Sequence, residues 1–141
     1  MSFARAIATV GDPLGRSGSA LGGVDFTYAT SRFRGDRNLL AGVWGLVASR
    51  PDRGTDNSAW GFKVGYPNEV VDVSLGYKRI GRDFDPAVGF VPRPAVQLWS
   101  GGINLRPRFA RGPVQQALIE LDPSAACLLY TSDAADDTPC V

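Results

Sequence analysis

The sequence predicts an all-β fold: an antiparallel up-and-down meander that makes an incomplete piece of a transmembrane β-barrel. Three observations predict it. Large apolar side chains fall on every second position over long stretches, the positions between them are mostly Gly, Ala, Ser and Thr, and the connections alternate between long and short. Alternation with period two is the mark of a strand. A small, weakly polar second face suits an enclosed interior better than a freely solvated surface. Long loops at one end and tight turns at the other are what a meander across a membrane produces.

The pattern is clearest between Trp60 and Ile80. Trp60, Phe62, Val64 and Tyr66 alternate with Gly61, Lys63 and Gly65; beyond Pro67-Asn68, Val71, Val73, Leu75 and Tyr77 alternate with Asp72, Ser74, Gly76 and Lys78. With Pro67-Asn68 at the centre of the turn, Val64 falls opposite Val71, Phe62 opposite Val73 and Lys63 opposite Asp72. One register then matches apolar to apolar on one face and opposite charges on the other.

Six stretches read as strands in chain order: Ser2 to Val10, Leu21 to Ser31, Asn38 to Ser49, Ala59 to Tyr66, Val70 to Ile80 and Val96 to Arg106. Val114 to Leu121 reads equally as a seventh strand or a short helix. In the first stretch Arg5 shares a face with Ile7, so its inner face is ambiguous. The second alternates as Val24, Phe26 and Tyr28 against Gly23, Asp25, Thr27 and Ala29. The third is apolar on both faces, with Leu40, Trp44 and Leu46 against Leu39, Val43 and Val47, which departs from the barrel pattern. The sixth sets Trp99, Ile103 and Leu105 against Ser100, Gly102 and Asn104. Trp60, Tyr66 and Tyr77 are expected near strand ends, at the level of an interfacial girdle.

The connections run Gly11 to Ala20, Arg32 to Arg37, Arg50 to Ser58, Pro67-Asn68, Gly81 to Ala95 and Pro107 to Pro113. Most charges outside the strands collect there: Asp12, Arg16, Arg34, Asp36, Arg37, Arg50, Asp52, Arg53, Arg82, Asp83 and Asp85.

Composition excludes several functions. The 141 residues suffice for one domain, and 15 Lys and Arg against 14 Asp and Glu leave a net charge of +1, which offers no footprint for nucleic acid. His is absent, so the commonest general base and metal ligand is missing. No Ser, Cys or carboxylate therefore has a His partner, and the expectation is a non-enzymatic chain with no catalytic, cofactor or metal residues. Gly15, Gly18, Gly22 and Gly23 form a glycine-rich stretch, but no Lys-Ser or Lys-Thr follows, so it reads as a surface loop and not as a phosphate loop. Asp83 and Asp85, with Asp52 and Asp56 near them, have the oxygen chemistry of a Ca²⁺ site, and solvated loop carboxylates are the favoured reading. The same pair spaced as glycosidase carboxylates is disfavoured on an exposed loop. In Gly89-Phe-Val-Pro-Arg93, Phe90 and Val91 are expected to anchor a long loop that Pro92 and Pro94 stiffen; the competing reading has Phe90 and Arg93 folded over the barrel mouth.

No basic segment followed by an apolar core begins the chain, so no export signal is visible, and no apolar run is long enough for a membrane helix. Cys127 to Asp136 resembles, residue for residue, one reading frame of a transposase adapter used in sequencing libraries. Asp137, Thr138 and Pro139 fit a variable index, and Cys140 and Val141 the constant bases after it. The expected division is thus a partial barrel over 1–126 and a non-native, disordered tail over 127–141, the reading frame being cut on that side; an acidic natural tail is the alternative. Both cysteines fall in this segment, so their spacing is read neither as a disulfide nor as a metal site.

Ala6-Ile-Ala-Thr-Val-Gly11, Gly23-Val-Asp-Phe26, Gly76-Tyr-Lys-Arg-Ile80, Asp83-Phe-Asp-Pro-Ala-Val-Gly-Phe-Val-Pro-Arg93 and Leu105-Arg-Pro107 together resemble the signature of domain-of-unknown-function family 5916. The resemblance covers about Ser2 to Leu121 and is most specific from Asp85 to Arg93. It implies the outer-membrane barrel region that lies C-terminal in that family, with outer-membrane lipid as its partner. Carbohydrate enters only through the family's upstream carbohydrate-binding family 9-like sandwich, which this sequence lacks. The alternative is a soluble, secreted all-β ligand-binding domain.

Overall fold

The computed structural model describes residues 1–11, 18–50, 54–86, 89–109 and 116–129. Asp12, Gly15, Arg16, Asp52, Arg53 and Val114, and residues 130–141, lie outside them. Within the described residues there is no helix. Eight strands make one sheet: β1 Ser2–Val10, β2 Ala20–Phe33, β3 Arg37–Ser49, β4 Ser58–Pro67, β5 Val71–Ile80, β6 Val96–Leu105, β7 Ile119–Leu121 and β8 Ser124–Leu128. Each strand from β1 to β6 pairs antiparallel with the next, and β8 also pairs with β6. Among the described residues the meander is open, because β1 pairs only with β2, and β7 and β8 only with β6.

The two-residue period survives as two continuous faces. Ala4, Phe26, Val43, Phe62, Tyr77, Trp99 and Ala125 stand in one row across the sheet on the aromatic face. One residue along, Phe3, Thr27, Gly42, Lys63, Gly76, Ser100 and Ser124 stand in a row on the small-residue face. A register of this kind keeps the alternate side chains of each strand on the same side as those of its neighbours.

The β4–β5 register differs from the predicted one. Phe62 pairs with Tyr77, Val64 with Leu75, Tyr66 with Val73 and Pro67 with Asp72. Pro67 thus closes β4, and the turn is Asn68, Glu69 and Val70. Each residue of β4 meets a partner four positions further along than expected, an even displacement that changes every partner and leaves both faces intact. The physical reason is the aromatic stack that this register allows: Tyr77 lies 5.8 Å from Phe62, 5.1 Å from Trp60 and 4.6 Å from Trp99 between ring centroids. Such contacts add about 0.5–1.5 kcal/mol each beyond area burial. Tyr77 is consequently buried inside this cluster instead of standing at a strand end. Tyr66 does lie near the turn end, edge-on to Phe33 at 6.4 Å.

The last strand also departs from expectation. Only Ile119–Leu121 of the Val114 to Leu121 stretch is a strand, preceded by an isolated bridge from Arg108 to Gln116. Ile103 pairs with Leu121 and Ser100 with Ser124, three steps back on β6 for three forward, so β7 and β8 hold a single register. Asp122-Pro123 interrupts them because proline has no N–H for the ladder, while the Pro123 carbonyl still accepts from Gly101 N at 2.8 Å. Cys127 and Leu128 therefore lie in a strand and not in a disordered tail, and Cys127 is disulfide-bonded, against the expectation for this segment. The β6–β7 connection, Arg106 to Leu118, is longer than predicted, so the alternation of loop lengths holds for the first five connections and stops at the sixth.

Candidate functional site

Long connections β3–β4 and β5–β6 meet at one end of the sheet, and there the small-residue face is covered. Ala48, Ala59 and Phe84 form a buried cluster, with Leu21, Trp44, Leu46, Ile80 and Val91 packed against it. Five of these eight residues come from β2, β3 and β4, Ile80 ends β5, and Phe84 and Val91 belong to the β5–β6 loop. Phe84 and Val91 thus bring the loop's described residues over the small-residue face of the sheet. This explains why β3 is apolar on both faces: Trp44 and Leu46 point to the side that Phe84 and Val91 cover.

Glycine permits the close approach. An added Cβ at Gly81 would stand 2.2 Å from the Asp56 carbonyl oxygen, and one at Gly61 would stand 2.5 Å from the Tyr77 carbonyl and 3.0 Å from the Trp44 ring. The indole of Trp44 thus lies against bare backbone of β4. Ala95, where the loop re-enters β6, has φ 55°, a left-handed conformation that costs a non-glycine residue about 1–2 kcal/mol.

Polar groups lace the two loops together. Asp56 Oδ2 accepts from the backbone N–H of Arg82 at 3.0 Å and Asp56 Oδ1 from Arg79 Nη2 at 2.9 Å. Asp83 N donates to the Asp56 carbonyl at 2.9 Å, and Asp56 N donates to Asp83 Oδ2 at 3.3 Å. Gly81 N donates to the Ser58 carbonyl at 2.8 Å. Arg50, whose side chain is only 5 % exposed, pairs with Asp85. The backbone N–H of Arg82 holds the Asp56 carboxyl below its ordinary range, helped by the Arg79 guanidinium and opposed by burial.

The expected residues divide accordingly. Asp56 and Asp83 are brought together, but Asp85 is directed to Arg50, and Asp52 lies outside the described residues. These carboxylates are bonded to arginines and backbone N–H groups, not merely solvated, and no group of three metal-capable side chains occurs among the described residues. Of the anchors expected in Gly89 to Arg93, Val91 is packed against the cluster, whereas Phe90 is 89 % exposed. The anchoring aromatic is Phe84. Its place between Asp83 and Asp85 made it look like part of an acidic surface loop, and Arg50, Arg79 and Arg82 gave no sequence signal beyond their charge. Gly22 and Gly23 are strand residues of β2, not loop residues.

The aromatic face is bare. Val24 is 65 %, Val43 51 % and Leu75 47 % exposed, and no second layer lies over them among the described residues. The chain matches no protein-family model, no curated protein and no solved structure.

Proposed function

We propose that this sheet is part of the wall of an outer-membrane β-barrel, a non-enzymatic segment with its aromatic face toward lipid and its small-residue face toward the interior. The observation that carries the reading is the uncovered apolar face running across the strands and backed by Gly, Ser, Thr and scattered charges. A soluble sandwich would bury such a face against another sheet. Strand length supports the reading as well: ten residues in each of β4, β5 and β6, rising about 3.3 Å each and tilted about 40°, span about 25 Å, the height of the apolar band of such barrels. Aromatic residues stand at two levels, Phe33 and Tyr66 toward the turns and Trp60 and Trp99 toward the long loops. The resemblance to family 5916 favours the same reading, and any role in carbohydrate binding or uptake would belong to the companion module of such proteins.

A depth series of charges tests this assignment. Leu75 stands mid-strand in β5, Val73 two residues nearer the turn, and Ser74 on the opposite face between Gly65 and Gly102. In the complete protein refolded into lipid vesicles, Leu75→Arg is expected to cost about 2–4 kcal/mol, Val73→Arg less, and Ser74→Arg little. Equal costs at Leu75 and Ser74, measured by denaturant unfolding, would reject the lipid-facing assignment.

A further inference from the structure

We propose that residues 81–86, the first part of the β5–β6 loop, form the constriction of a solute path through the barrel, with Phe84 as its narrowing residue, and that this constriction sieves by size and not by charge. The inference rests on the barrel reading, because only then is the small-residue face an interior. Irregular backbone at the level of a membrane is tolerated only where it is packed in protein or lines a water-filled space. The loop meets that condition on the small-residue side: Phe84 is 5 % exposed, seated on Ala48 of β3 and Ala59 of β4. A phenyl ring anchored on two alanines of adjacent strands projects loop backbone into the interior and leaves less room for solute. Its position is fixed from both flanks, by the Asp56 contacts with Arg79 and Arg82 and by Arg50 with Asp85.

Selectivity follows from the charges around it. Around Phe84, Arg50 is paired with Asp85, Arg79 with Asp56 and Arg82 with Asp83. A ring of one sign would favour one sign of ion, whereas a balanced, internally paired set gives no such bias. The solutes admitted are therefore small hydrophilic molecules and ions of either sign.

The test uses the complete protein in planar lipid bilayers with KCl, together with vesicle flotation to establish insertion. Phe84→Ala is expected to raise the unitary conductance at least about threefold, with K⁺ and Cl⁻ permeabilities staying within about twofold of each other. A second variant, Gly54→Cys with Asp83→Cys, exploits their proximity, since a Cβ at Gly54 would stand 2.8 Å from Asp83 Cγ. Oxidation should pin the loop and suppress opening events, and reductant should restore them, with each single-cysteine variant as the redox control. Inserted protein whose conductance is unchanged in both variants would overturn the constriction while leaving the barrel intact. Strong preference for one ion would overturn sieving by size, and failure to float with the vesicles would overturn the barrel reading and the constriction with it.

Discussion

Asp56 shows how one side chain organises a loop end. Its carboxylate accepts two hydrogen bonds, one from the Arg82 backbone and one from Arg79, while its own N–H and carbonyl engage Asp83. Because folding holds this carboxyl below its ordinary value, the group favours the folded state at any pH above the unfolded value. That contribution declines as pH falls through the ordinary carboxyl range and is gone below the lowered folded value. Unfolding measured from pH 7 down to pH 2 should therefore show a loss of stability that Asp56→Asn flattens; an identical pH profile in the variant would deny Asp56 this role. Gly61 makes the complementary point about space. A methyl group there meets the Tyr77 carbonyl and the Trp44 ring, so Gly61→Ala should cost about 1–3 kcal/mol, whereas Gly22→Ala, with nothing within 4 Å of the added atom, should cost little. Comparable denaturation midpoints for the two variants would contradict the packing of Trp44 on β4.

At the scale of strands and turns, much of the architecture was legible because period two is imposed by backbone geometry. The six leading strands fall within one or two residues of where alternation places them, and β1 coincides at both ends. Register was less legible: turn chemistry at Pro67-Asn68 and charge pairing between Lys63 and Asp72 pointed one way, and the Phe62, Tyr77 and Trp99 stack settled it another, without changing either face. The cap over the small-residue face was partly legible, since a strand apolar on both sides needs cover on both. Nothing in the loop itself distinguished Phe84 from Phe90, because both sit among charged or turn-forming residues. Turns also support one another: Asn68 Oδ1 accepts from Asn38 N at 2.8 Å, and Asn68 Nδ2 donates to the Asn38 carbonyl at 3.0 Å, tying the β4–β5 turn to the start of β3. Both bonds are exposed, so Asn68→Ala should cost only about 0.5–1.5 kcal/mol. A variant as stable as the parent in refolding experiments would mean that water replaces both bonds without loss.

The whole molecule is poorly enclosed for its mass. It exposes 9996 Å², where a compact chain of 15.0 kDa exposes about 7,000 Å². The excess is apolar in kind: Val24, Phe26, Tyr28, Val43, Val64, Leu75 and Trp99 are all more than two-fifths exposed on one face, while the buried hydrophobic residues among those described are few, with Ala48, Ala59 and Phe84 clustered under the β5–β6 loop and Tyr77 enclosed by its aromatic neighbours. Among the described residues two raw edges add to this, since one side of β1 offers its backbone N–H and carbonyl groups to any partner strand, as does the outer side of β7 and β8. Water meets the hydrogen-bonding needs of an edge but does not stabilise an apolar face of this extent. The 141-residue chain alone should therefore associate into large, polydisperse species in buffer and disperse in a mild detergent, whose micelle covers the aromatic face. Light scattering with and without detergent checks this directly. Leu75→Glu with Val43→Glu should raise the dispersed fraction in buffer, whereas Ser74→Glu with Thr27→Glu on the opposite face should not. A chain already monomeric in plain buffer would show that the aromatic face is stable in water, and the argument that assigns it to hydrocarbon would lose its main support.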